Sequence, residues 1–152
     1  MTVSLELIKQ LRGKTSAGVA DVRSALEEAS GDLKRAEEVL RKKGFEKAAK
    51  KGERATNAGL IESYVHQGRV GALVEVACET DFVARTDEFK TLTHEIAMQV
   101  ASMNPKDKSA LLEQEYIRDP SKTIQDLIKE TISKLGENII VARFSRFELG
   151  QQ

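Results

Sequence analysis

The chain has 152 residues, with 24 basic and 24 acidic side chains balancing to a formal net charge of zero. That length fits one ordinary domain or two small ones, and the balance argues against a protein whose main task is gripping nucleic acid. A single cysteine excludes an intramolecular disulfide and a cysteine zinc cluster, which fits a reducing cytoplasm or an organelle matrix, and no apolar run is long enough to span a membrane.

Residues 3–44 read as three short helices. Leu5, Ile8 and Leu11 share a face of the first, and Gly13 is placed to end it. The stretch 1–11 carries both charge signs and no small-residue cleavage site, unlike a secretory signal. Thr15 or Ser16 can cap the second helix, where Val19, Val22, Leu26 and Ala29 recur at helical spacing until Ser30-Gly31. Asp32 caps the third, whose buried stripe is Leu33, Ala36, Val39 and Leu40. Gly44 suits the residue just past its end, after the basic run Arg41-Lys42-Lys43. Connections this short predict a compact three-helix bundle over residues 1–45. Residues 46–56 follow as a lysine-rich helical linker. Charge runs of this kind usually face water. A sharper reading makes Lys47 to Lys51 a patch for RNA or an acidic surface, but no aromatic ladder accompanies it.

Residues 60–66 and 69–78 read as two strands joined by a tight turn at Gln67-Gly68, with His66 at its tip. In the second strand Val74, Val76 and Cys78 alternate with Leu73, Glu75 and Ala77. Thr86 then caps a long helix, and Asp87 and Glu88 suit its positive end. Between strand and helix lies Thr80-Asp81-Phe82-Val83. It sets a large apolar ring beside an acid at a corner that would ordinarily be polar. The long helix carries Phe89, Leu92, Ile96, Val100 and Met103 on one stripe and ends at Asn104-Pro105. His94 borders that stripe with no second metal ligand at a useful spacing. Asp119 with Pro120 reads as the start of the next helix, striped by Ile124, Leu127, Ile128, Ile132 and Leu135 and stopped by Gly136. The last strand, 139–149, changes phase before Phe144 and again before Phe147, which calls for a bulge. The fold class is α+β, with a core at residues 57–152 built on a small three-stranded antiparallel sheet with packed helices.

Catalysis has little material. Cys78, His66, His94 and Asp81 are the only candidates for a nucleophile with a base, and a cysteine in an apolar row is usually a core residue. There is no phosphate-cradling glycine loop, so no cofactor or metal site is expected.

The phrase Cys78-Glu79-Thr80-Asp81-Phe82-Val83-Ala84-Arg85, preceded by Gly-Ala-Leu-Val-Glu-Val, resembles the signature of the elongation factor Ts family. The stretches at 11–26, 31–44 and 134–150 resemble the family as well. The resemblance implies a nucleotide-exchange factor for the translational GTPase elongation factor Tu. It implies a ubiquitin-associated-like fold for the N-terminal bundle, docking on the GTPase domain through Ala17, Gly18, Val19 and Ala20. It implies that Phe82 wedges in near the partner's magnesium site, with Thr80, Asp81 and Val83 beside it. It also implies that His66, Gln67, Gly68 and Arg69 touch the partner's third domain. Most family members insert a helical excursion before the phrase at 115–123, and here only a short link remains. One small sheet with an uncovered face predicts a homodimer through the core. The alternatives are an adaptor binding through the bundle and an RNA- or ribosome-associated protein using the basic linker.

Overall fold

The computed structural model describes residues 3–15 and 17–151. They fall into two compact units, Met1–Lys50 and Lys51–Gln152. The first contains α1 (Leu5–Thr15), α2 (Val19–Glu28) and α3 (Leu33–Lys50). Leu11, Val22, Ala25, Leu26 and Ala36 are fully buried there, and Ala29 and Leu40 complete the cluster. Burying each leucine stabilises by roughly 2 kcal/mol, so Leu11, Leu26 and Leu40 carry much of this small core. Asp32 caps α3 as expected, its carboxylate accepting from the Lys34 and Arg35 N–H groups at 3.0 and 3.2 Å.

Other local expectations change. α1 passes Gly13 and ends at Thr15, whose hydroxyl donates back to the Leu11 carbonyl at 2.7 Å. The cap of α2 is Gly18, with no side-chain hydrogen bond, and Ser16 lies outside the described residues. Val19 is 50% exposed at the start of α2 instead of lying in the buried stripe. α3 runs through Gly44 to Lys50. A helical glycine costs about 1 kcal/mol relative to alanine. Other contacts offset that cost: Gly44 and Ala48 are buried, Lys47 pairs with Asp21 of α2 at 2.8 Å, and within α3 Arg41 lies over the Phe45 ring at 5.4 Å. Much of the expected linker is therefore the end of α3.

The second unit is built on β1 (Ala58–His66), β2 (Val70–Cys78) and β5 (Ile139–Glu148), an antiparallel sheet in the order β1-β2-β5. α4 (Asp81–Ala84) follows β2 directly, and α5 (Asp87–Met103) packs back along β1 and β2. Phe89, Leu92, Ile96 and Val100 of α5 are buried along with Val74, Val76 and Cys78 of β2. Met103 does not join them; at the end of α5 it is 49% exposed. α7 (Ile124–Leu135) packs against α5 and β5.

The short link after α5 forms α6 (Lys108–Glu113) and a two-stranded sheet of β3 (Glu115–Tyr116) and β4 (Asp119–Thr123). Asp119 and Pro120 thus stand in a strand, not at a helix start. The cap of α7 is Thr123, which forms a capping box with Asp126. Thr123 accepts from the Asp126 N–H at 3.1 Å, while the Asp126 carboxylate takes the Thr123 N–H at 3.1 Å. Proline suits β4 because an edge strand does not need its missing N–H.

In β5, Glu75 pairs with Arg143 while Val76 pairs with Val141, which leaves Ala142 as the extra residue of a bulge. That accounts for the first phase change. The second is not a bulge. The register runs on unbroken to Glu148, and Phe147 and Leu149 simply point outward, 78% and 72% exposed. Phe147 shares the uncovered face of the sheet with Ile61, Val65 and Leu73, each more than half exposed.

Candidate partner-binding site

The corner between β2 and α5 is one turn of helix held at both ends. Thr80 caps α4, its hydroxyl oxygen accepting from the Val83 N–H at 3.4 Å. Thr86 caps α5, accepting from the Phe89 N–H at 3.2 Å while its hydroxyl donates to the Val83 carbonyl at 2.7 Å. Val83 and Ala84 are buried and anchor the turn to the core. With those two turned inward, Asp81 and Phe82 face solvent. Phe82 is 86% exposed, the most exposed large apolar side chain of the described residues. The backbone beneath it is pinned, so the ring is presented outward from a fixed base.

The base is tied to a distant part of the chain. The Glu137 carboxylate accepts from the Glu79 N–H at 3.1 Å, from the Thr80 N–H at 2.9 Å and from the Thr80 hydroxyl at 2.7 Å. In return the Asn138 N–H donates to the Glu79 carboxylate at 3.3 Å. The Asn138 side-chain amide donates to the carbonyls of Gly52 and Arg54 at 3.3 and 2.9 Å. Below the corner the Cys78 thiol donates to the Thr80 carbonyl at 3.2 Å. Burial raises the pKa of this thiol, and the nearby Glu137 and Asp81 carboxylates add to the effect.

At the opposite end of the hairpin, Gln67 and Gly68 both take positive φ, 54° and 67°, and the Arg69 N–H donates to the His66 carbonyl at 2.9 Å. This is the pattern of a type I′ turn. His66, Gln67, Gly68 and Arg69 are all exposed. The His66 ring lies 3.1 Å, Nδ1 to hydroxyl, from Tyr64, whose ring meets His94 edge-on at 5.8 Å. Both histidines thus gather at Tyr64, while Cys78 pairs with Ala58 at the other end of β1. The thiol and His66 are not brought together. Among the described residues, no three His, Cys, Asp or Glu side chains are placed to hold a metal.

The corner and the tip are separated by the length of β2, about 26 Å at the usual rise per residue. Ala17, Gly18, Val19 and Ala20 form the turn into α2 in the other unit, where Gly18, Val19 and Ala20 are exposed. Glu137, Asn138 and Tyr64 were not singled out from sequence. The only hint was Glu137-Asn138 following the helix-stopping Gly136, where a plain turn would serve equally well.

The family model described as Elongation factor TS matches residues 79–152. Elongation factor Ts from Thermotoga neapolitana is 45% identical over 196 aligned positions, covering 100% of both chains. Elongation factor Ts from Coprothermobacter proteolyticus is 45% identical, covering 99% of this chain and 100% of its own. The chain belongs to the elongation factor Ts family. A third member, from Thermoanaerobacter sp. strain X514, is 44% identical over 195 positions, covering 98% of this chain and 96% of its own. The elongation factor Ts alignments are longer than the 152 residues here, so these relatives carry residues with no counterpart in this chain. Membership makes the chain a translation elongation factor. No helix among the described residues is long and apolar enough to cross a membrane.

Proposed function

We propose that this chain is a guanine-nucleotide exchange factor for elongation factor Tu, acting by displacement and without making or breaking a bond. The observation that carries the reading is Phe82, 86% exposed on a turn whose backbone is fixed from both sides. Leaving such a ring in water forgoes about 2–3 kcal/mol that a partner pocket would supply. Wedged beside the GTPase's magnesium site, the ring would shift the structure beneath it and weaken magnesium's hold on the phosphates. The factor then binds the nucleotide-free partner more tightly than the GDP form. By linkage, GDP is weakened in the complex by the same factor.

Two further contacts complete the reading. The turn 17–20, with Val19 half exposed, docks the first unit on the GTPase domain. The hairpin tip, His66 to Arg69, meets the partner's third domain. If one partner meets the corner of one core and the tip of another, two chains must associate. We therefore propose a homodimer through the core, with the uncovered face bearing Ile61, Val65, Leu73 and Phe147 as the interface.

Stopped-flow release of a fluorescent GDP analogue from elongation factor Tu tests the exchange reading. The chain should accelerate release, and raised magnesium should oppose it. A folded sample that binds the partner without accelerating release would replace exchange with the adaptor reading.

A further inference from the structure

Glu137 stands just past the C-terminus of α7, two residues beyond Leu135. The negative end of a helix dipole disfavours an acid there. Nothing in α7 accounts for it. Its carboxylate instead spans 57 and 58 residues of sequence to take three donors at the corner, two N–H groups and one hydroxyl. Hydrogen bonds to an ionised acceptor are about twice as strong as neutral ones. The tie is reciprocal, because Glu79 accepts from the Asn138 backbone.

The effect converges on Thr80. Its N–H and hydroxyl donate to Glu137, its hydroxyl oxygen caps Val83, and its carbonyl takes the Cys78 thiol and the Ala84 N–H. The direction of the first turn of α4 is set here. Phe82 itself is nearly free of the protein, so its own packing cannot aim it.

We infer that Glu137 is the positioning residue for the exchange wedge: it holds Glu79 and Thr80 so that α4 presents Phe82 in one orientation. The inference rests on the proposed wedge. Its signature is coupling, since a residue that acts only through Phe82 has no effect once Phe82 is gone.

The test measures stimulated GDP release for Phe82→Ala, Glu137→Ala, Glu137→Gln and the double alanine variant, with circular dichroism on each. Glu137→Ala should slow stimulated release roughly tenfold with the fold retained. Glu137→Gln should recover much of it, because the amide oxygen still accepts from both N–H groups. The double variant should be no slower than Phe82→Ala. In the native protein, nuclear magnetic resonance should show the Glu79 and Thr80 amides protected from hydrogen exchange, although Thr80 is exposed. That spectrum decides the case if Glu137→Ala does not fold. A Glu137→Ala variant as active as the native chain, beside an inactive Phe82→Ala, overturns the inference and leaves the wedge standing. A double variant slower than Phe82→Ala overturns it as well, as do Glu79 and Thr80 amides that exchange freely with solvent. An active Phe82→Ala variant would instead sink the wedge itself.

Discussion

Phe147→Ser probes the proposed core dimer. The side chain is 78% exposed on the open face, in the row Val65–Gly71–Phe147 across three strands. Most of its apolar surface is therefore available to a partner, and burying it contributes about 2 kcal/mol. In a twofold interface each substitution counts twice, so the dimer should lose about 4 kcal/mol and its dissociation constant should rise roughly 1,000-fold. The isolated chain loses almost nothing, because the ring has little packing to give up. Sedimentation equilibrium of native and variant proteins across the micromolar range reads this directly, with circular dichroism as the control for folding. A native chain that sediments as a monomer throughout would refute the dimer. A native dimer unchanged by Phe147→Ser would move the interface off this face.

The remaining predictions concern stability and reactivity. At Gly59, φ is +148°, and an added Cβ would stand 2.2 Å from the Val76 carbonyl oxygen. Gly59→Ala should destabilise by more than about 2 kcal/mol in denaturant unfolding, and an unchanged midpoint would refute the close strand approach there. Burial first, then the hydrogen bond to Glu95 at 2.8 Å, pushes the Tyr116 phenol up to about 12. Its contribution to stability is thus fully present below the unfolded value of about 10 and is lost as pH rises from there towards 12. Tyr116→Phe should flatten that loss, and identical pH profiles for native and variant would contradict it. Cys78, fully buried and raised by that burial, should resist thiol reagents in the native protein and react at once in denaturant.

The corner was legible because its signals are local. Alternation marks β2, Thr86 marks the cap of α5, and the hydrophobic stripe marks α5 itself, whereas the cap that Thr80 gives α4 emerges only in the structure. The Glu137 tie was not legible, because it joins residues 57 apart that no periodicity relates. Asp119-Pro120 reads as the start of α7, but pairing of β4 with β3 puts those residues in a strand and leaves the cap to Thr123. Gly44 reads as a helix stop, yet it is buried within a helix that runs on to Lys50. Phe147 looked like a displaced core residue. It is an outward one, 78% exposed on the open face of the sheet.

The central claim is that an exposed, rigidly based Phe82 drives nucleotide release. Its most direct test is the rate of labelled GDP release from elongation factor Tu with native protein and with Phe82→Ala. Phe82 has little packing of its own, so the variant should keep its unfolding midpoint and its secondary structure. The account predicts strong acceleration by the native chain, lost in that stable variant. Equal acceleration by both proteins would contradict it.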